Sequence, residues 1–323
     1  VKIIIYILFC IVSTQLFGSY NLATVYKEKG LSFVQNELDK QIATKEFWTQ
    51  YLENIDTSYG YYDSIQYTLI SKQDMKRIEI FKNNKEQKIS IFNSDIMTGK
   101  NNGAKENKGD LKTPIGVYDL VDKLTSLDQF YGPLALVTSY PNNFDKINGR
   151  TGDGIWIHGV PSIGERDPYT KGCIALENKN LLLLDKNIDF KNSILIIENN
   201  NTELNTSKND FVNILSNFYS WKNAWKEGDF EKYISFYSQK FKKIDGTDIK
   251  QFSSYKKSIF DKKEEKQIIF KDVNVIPYPN EETKHMYKIK YYQIYSTKNH
   301  NFSGFKELYI ELLEDKISIL SEG

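Results

Sequence analysis

Cysteine, histidine and arginine are all scarce in this chain: two cysteines, three histidines and three arginines among 323 residues. One cysteine, Cys10, lies in the first apolar run, Ile3 to Val12, which follows a lone Lys2 and precedes the small pair Gly18-Ser19. That pattern reads as a signal peptide over residues 1–19, and its ten apolar residues are too few to span a bilayer. Phe9, directly before Cys10, is too bulky for a lipidation signal, which argues against a lipoprotein. Removing the leader takes away Lys2 and Cys10, leaving 42 basic and 42 acidic residues and a single thiol, Cys173. One thiol excludes an internal disulfide, a disulfide scaffold and a multi-cysteine zinc site. His158, His285 and His300 are scattered, which argues against a histidine metal site, and no pattern calls for a cofactor. Zero net charge argues against electrostatic nucleic-acid binding. An exported chain with one thiol is either a covalent dimer or the carrier of a free thiol.

What is present is apolar and aromatic material, 40% and 14% of residues, enough for real cores, and a length that fits two domains. Residues 20–63 read as a helical N-terminal region. Leu31, Val34, Leu38 and Ile42 recur at helical spacing, as do Phe47, Tyr51 and Ile55. Such a stripe packs on the main domain or serves as a dimerisation arm. From 64 the period changes to two, with Ile65, Tyr67 and Leu69, then Ile78 and Ile80, then Ile89 and Ile91. The polar stretch 99–113 reads as a loop without the Gly-Lys-Ser/Thr of a phosphate site. Strands are expected at 115–120, 134–138, 154–158 and 193–198, with a short helix at Leu181 to Leu184, so 64–198 is a strand-rich domain.

Residues 199–208 read as a polar linker. It holds two N-x-S/T triplets, Asn200-Asn201-Thr202 and Asn205-Thr206-Ser207, each with a glutamate two residues earlier. They are glycosylation acceptors or chance in an Asn-rich chain. Over 209–323 the helical period returns: Phe211, Ile214, Leu215, Phe218, Trp221 and Trp225 share a face, and Gly228-Asp229 ends one helix and caps the next. Strands follow at about 267–276, 286–296, 305–313 and 316–320. Helices followed by a meander make an α+β domain. Its order, with Trp221, Trp225, Gly228-Asp229 and Tyr233, resembles the NTF2-like fold, a cone with a concave pocket. The aromatic stripe reads as core more than ligand platform.

The chemistry centres on Cys173 in Thr170-Lys171-Gly172-Cys173-Ile174 and on His158, at the end of the strand Gly154-Ile155-Trp156-Ile157-His158-Gly159. A thiol attacks as thiolate, and an imidazole can take its proton. Gly172 lets the backbone approach a substrate, and amides at Gly172 and Cys173 can hold an oxyanion. The alternative is a buried cysteine and a separately satisfied histidine. Of the three arginines, Arg77, Arg150 and Arg166, two lie within 150–173. Arg166 with Lys171 is the expected contact for a substrate carboxylate, against loop solvation. Trp156 alternates with His158, so both face one side, as pocket wall or core. Tyr131, in Gln129-Phe130-Tyr131-Gly132-Pro133, is a further candidate for the cleft, with no direction given by the sequence.

Lys108-Gly109-Asp110-Leu111-Lys112-Thr113-Pro114-Ile115-Gly116-Val117-Tyr118, Ile157-His158-Gly159 and Thr170-Lys171-Gly172-Cys173-Ile174 resemble, in order, the catalytic domain of the L,D-transpeptidase (YkuD) family. The resemblance covers about 64–198. It implies Cys173 as nucleophile, His158 as general base, the Gly159 carbonyl as orienter of the imidazole, and Thr170 and Lys171 beside the substrate. Lys171 stands where the family commonly has a second histidine, and Ala175 where it has arginine. With the helical arm and the NTF2-like domain, the whole chain is similar to periplasmic L,D-carboxypeptidases that set cell shape in helical and curved Gram-negative bacteria. That resemblance implies peptidoglycan stem peptides as substrate, with D-Ala trimmed from tetrapeptides to leave tripeptides. The rival readings are an L,D-transpeptidase and a non-catalytic wall-binding scaffold, with the C-terminal pocket holding glycan or a protein partner.

Overall fold

In the computed structural model the described residues are 22–161, 163–164, 166–202, 206–282 and 284–323. The expected leader over 1–19 and the triplet's acceptor Asn205 lie outside them. The chain begins with helices α1 (22–29), α2 (Leu31–Gln41) and α3 (Lys45–Tyr51). The middle holds strands β1 (Tyr61–Tyr62), β2 (Tyr67–Lys72), β3 (Arg77–Asn83), β4 (Lys88–Asp95), β5 (Gly116–Leu124) and β6 (Ala135–Thr138). Helix α4 (Asn143–Ile147), strands β7 (Trp156–His158) and β8 (Ile174–Ala175), helix α5 (Asn178–Asn187) and strand β9 (Ser193–Glu198) follow. The C-terminal part comprises α6 (Lys208–Glu227), α7 (Phe230–Ile234), α8 (Ile249–Phe260), β10 (Gln267–Pro277), β11 (Met286–Ser296), β12 (Asn301–Leu313) and β13 (Lys316–Glu322). The result is the expected mixed α+β architecture: N-terminal helices, a β-rich unit and a C-terminal α+β unit.

The β-rich unit is one eight-stranded sheet in the order β4-β3-β2-β9-β5-β6-β7-β8. Its centre is β9, whose continuous apolar run reads as a strand buried on both faces, and every residue of it is buried. Successive side chains point to opposite faces. Leu195 and Ile197 join a core with Leu69, Tyr118 and Ile157, while Ile194 and Ile196 join a different one with Val117, Tyr278 and Tyr309. That second core is shared with the C-terminal sheet. β8 is a strand that periodicity did not reveal, because two residues carry no period. It pairs in parallel with β7, placing Ile174 beside Ile157, and so sets Cys173 against the strand that ends at His158.

The C-terminal sheet runs β1-β10-β11-β12-β13. Its edge strand β1 comes from residues expected in the helical arm: Tyr61 and Tyr62 pair with Val275 and Asn274. Helix α6 starts on a capping box between Ser207 and Asp210 and stops at Gly228, which takes φ +79°. Its Phe211, Ile214, Phe218 and Trp221 are buried in the C-terminal core. Helices α2 and α3 pack on α6 of this unit. Trp48 of α3 stacks on Tyr219. No residue of α2 is buried, and Leu31 and Leu38 of the predicted stripe are exposed. The attachment of α2 is polar instead: the Asp39 carboxylate accepts from Lys222 at 2.5 Å and Lys226 at 2.6 Å, and the Asp39 carbonyl accepts from Asn223.

Charged and aromatic groups tie the two sheets together. Lys288, fully buried on β11, lies 2.8 Å from Glu307 and 3.4 Å from Asp119 of β5, and Lys290 also pairs with Asp119. Helix α4 wedges in beside them. Asn142 donates to the Tyr278 hydroxyl at 3.1 Å, and Phe144 stacks on Tyr309 with centroids 5.2 Å apart.

Candidate active site

β7 delivers His158 to the rim of the β-rich sheet. The turn after it is held from three sides. The Gly159 amide donates to the Tyr131 carbonyl at 2.9 Å, Leu176 donates to the His158 carbonyl, and Asn178 binds both the amide and the carbonyl of Val160. A side chain at Gly159 would collide with the Asn178 amide oxygen, so only glycine fits. His158 Nδ1 lies 2.6 Å from the Gly159 carbonyl. A carbonyl can only accept, so Nδ1 carries the proton and Nε2 keeps its lone pair.

The Cys173 loop is folded by its own hydroxyl. Thr170 Oγ1 donates to the Cys173 carbonyl at 2.6 Å and accepts from the Gly172 amide at 3.0 Å. This corrects one expectation: Gly172 does not offer a free amide to an oxyanion, because Thr170 already occupies it, while Thr170 staples the turn and also lines the cavity that holds His158 and Cys173. The Cys173 amide has no acceptor among the described residues, so it is free to donate. Gly172 is still required, since it takes φ +134° and a Cβ there would come 2.7 Å from the Lys112 carbonyl.

The Cys173 thiol and His158 open into one cavity of about 510 Å³, lined also by Phe130, Tyr131, Arg166 and Lys171. The thiol donates to the Gly154 carbonyl at 3.3 Å. Burial pushes the thiol's pKa up, opposed by the Trp156 amide and by the charges of Arg166 and Lys105. Burial pushes His158 down to about 4; the Gly159 bond opposes this, and the Arg166 charge adds to it. The resting pair is therefore a neutral thiol beside a neutral imidazole, not an ion pair.

The other expected site residues divide. Trp156 and His158 do share a face, since the Tyr131 ring meets both, at 5.3 and 5.1 Å. Tyr131 lines the cavity and Trp156 does not, so the indole reaches the site through its contact with the Tyr131 ring. Arg166 and Lys171 both line the cavity. Arg150 does not: it binds Asp145 at 2.9 Å. Two contributors gave no sequence signal. Asn178 acts on a turn 18 residues away, and Lys105 is buried against Asp110 at 2.5 Å within the 99–113 loop.

A second cavity, of about 310 Å³, opens in the C-terminal cone. Trp221 and Tyr233 of the aromatic stripe are buried in the core, as expected, and with Trp225 they also line this cavity, where Lys256 lies over the rings of Trp225 and Tyr233. At the first triplet, Asn200 is exposed in a turn, but Glu198 and Thr202 on either side are buried. A modifying enzyme that reads those flanks would have to unfold them.

Residues 65–197 match the family model of the L,D-transpeptidase catalytic domain, YkuD, and residues 213–323 match that of the Cds6 C-terminal NTF2-like domain. Among solved structures, the helical cell shape determining protein Pgp2 from Campylobacter jejuni is similar at 38% identity and TM-score 0.82, covering 87% of this chain and 99% of its own. A variant of Pgp2 gives TM-score 0.83 at the same 38% identity, over 88% of this chain and 99% of its own. Bd1075 from Bdellovibrio bacteriovorus is similar at 28% identity and TM-score 0.64, covering 80% of this chain and 91% of its own. No curated protein matches the chain.

Proposed function

Because this chain belongs to the L,D-transpeptidase (YkuD) family and carries the Cds6 type of NTF2-like domain behind the catalytic one, we propose that it is a peptidoglycan L,D-carboxypeptidase. It removes the terminal D-Ala of stem tetrapeptides through a Cys173 acyl-enzyme. The observation that carries this reading is the single cavity into which the recessed thiol and an imidazole with its Nδ1 tied to Gly159 both open.

His158 Nε2 takes the thiol proton as Sγ attacks the carbonyl of the meso-diaminopimelate–D-Ala bond. The Cys173 amide holds the oxyanion. The imidazolium returns the proton to the departing D-Ala amine, the C–N bond breaks and a thioester remains. His158 then activates a water, and hydrolysis restores the thiol and releases the tripeptide carboxylate. Hydrolysis is favoured over transfer by the changes at Lys171 and Ala175, the positions where the family carries histidine and arginine beside its nucleophile.

Pgp2 is described as determining helical cell shape, and we extend that role to this chain, acting in the periplasm after removal of residues 1–19. The exposed Leu22, Tyr26, Leu31 and Leu38 support a homodimer through the arm, which sedimentation velocity tests. The C-terminal cavity is read as a seat for glycan or a protein partner.

The test is incubation with defined tetrapeptide muropeptides beside Cys173→Ala. Tripeptide and free D-Ala, lost in the variant, support the reading. Cross-linked dimers would make it a transpeptidase, and no turnover would make it a binding scaffold.

A further inference from the structure

Arg166 differs from the other two arginines. Arg77 donates to Asn93 at 2.7 Å and Arg150 to Asp145 at 2.9 Å. Arg166 Nε and Nη1 are buried with no hydrogen-bond acceptor among the described residues. Its neighbour Asp167 is exposed and makes no ion pair with it. The guanidinium lies over the Phe130 ring, 5.1 Å from the centroid. The cation is held against this ring, and the residue lines the cavity that holds Cys173 and His158. A buried donor without a partner is costly, more so on a charged group, and a planar fork of this kind matches a carboxylate.

In a chain cut one residue from its end, the terminal carboxylate lies only ~3.6 Å of chain beyond the attacked carbonyl. A cation in the same cavity as the nucleophile is placed to meet it. We propose that Arg166 binds the free α-carboxylate of the terminal D-amino acid and thereby makes the enzyme strictly exo-acting. Stems whose last residue is amidated, extended by another residue or engaged in a cross-link offer a neutral amide there. They leave the cation unpaired and are rejected, as sites built around a polar partner reject analogues lacking it. The inference rests on the acyl-enzyme reading above, since it supplies the position of the scissile bond.

The test separates recognition from reaction. Calorimetry on the full chain carrying Cys173→Ala compares a muropeptide tetrapeptide free acid with its terminal carboxamide. The acid is expected to bind at least tenfold more tightly. Adding Arg166→Gln should bring the two within about twofold, chiefly by weakening the acid, and Arg166→Lys should restore part of the preference. Equal affinity in Cys173→Ala, no binding of either peptide, or a preference that survives Arg166→Gln overturns the inference. D-Ala release by the unmodified enzyme is scored separately. Turnover without acid preference sinks the recognition role alone, and an Arg166-dependent preference without turnover sinks the reaction alone.

Discussion

His158 Nδ1 and the carbonyl oxygen of its neighbour Gly159 are 2.6 Å apart, so the imidazole is oriented by the backbone next to it and needs no carboxylate. The arrangement fixes the tautomer without adding a negative charge to the site, and burial then holds the ring neutral. With a pKa near 4, His158 stays a competent base far below the usual histidine range. The acid limb of the pH–rate profile for D-Ala release is therefore expected near 4, not near 6.5. The sign for stability is the same: the ring resists protonation when folded, so stability is complete above about 6.5 and falls as pH drops through 4, by roughly 3 kcal/mol. Thermal melts of His158→Asn should lack most of that acid loss.

Cys173 should alkylate slowly at neutral pH. Its thiol is pushed above the ordinary value by burial, and Arg166 and Lys105 are the charges that oppose the shift. Iodoacetamide rates against pH, read by mass at the Cys173 peptide, are expected to turn upward above the range of a free thiol. Lys105→Met should move the midpoint higher still. A midpoint at or below that of a free thiol contradicts the neutral resting pair.

Asn178→Ala removes both hydrogen bonds that clamp Val160. The imidazole's neighbour loses its frame while the side chains of the pair stay intact. Because a displacement of about 1 Å can cost ~100-fold in rate, kcat should fall at least tenfold with little change in KM. A structural role alone would lower the melting temperature and leave kcat near normal.

Asp39→Ala leaves Lys222 and Lys226 without their shared carboxylate. Lys222 is buried, so the loss is expected to cost about 3 kcal/mol, as when one partner of a buried pair is removed. Hydrogen exchange across 31–41 should rise sharply while catalysis is spared. Both lysines hold the Asp39 pKa below its ordinary value against burial. The arm's anchor is thus intact above the usual carboxylate range and weakens as pH falls through the lowered value.

Much of the site could be read from the sequence because its two reacting residues sit in local motifs with glycines on which the backbone geometry depends. The misreadings came from contacts that neither motif nor period encodes. Gly172 looked like an oxyanion donor until the Thr170 hydroxyl proved to face it. Asn178 lies at the start of a helix that gives no hint of the turn it grips. In the fold, Ile194 to Ile197 announced a buried strand, but nothing in the run says that its two faces belong to different cores. Leu31 and Leu38 had the right period for a packed helix, yet α2 is held by a carboxylate that periodicity ignores.

Those two faces of β9 have a consequence for folding. Ile194 and Ile196 complete a core that also needs Tyr278, Met286 and Tyr309, and Lys288 spans it with a carboxylate from each side. The 199–208 segment is a boundary in sequence but not a fracture line in the protein. Cutting there would strip one face of the central strand of its cover and leave Asp119 without its lysines. The two units should therefore melt in a single cooperative transition, and neither should be inherited or exchanged without a matching surface on the other.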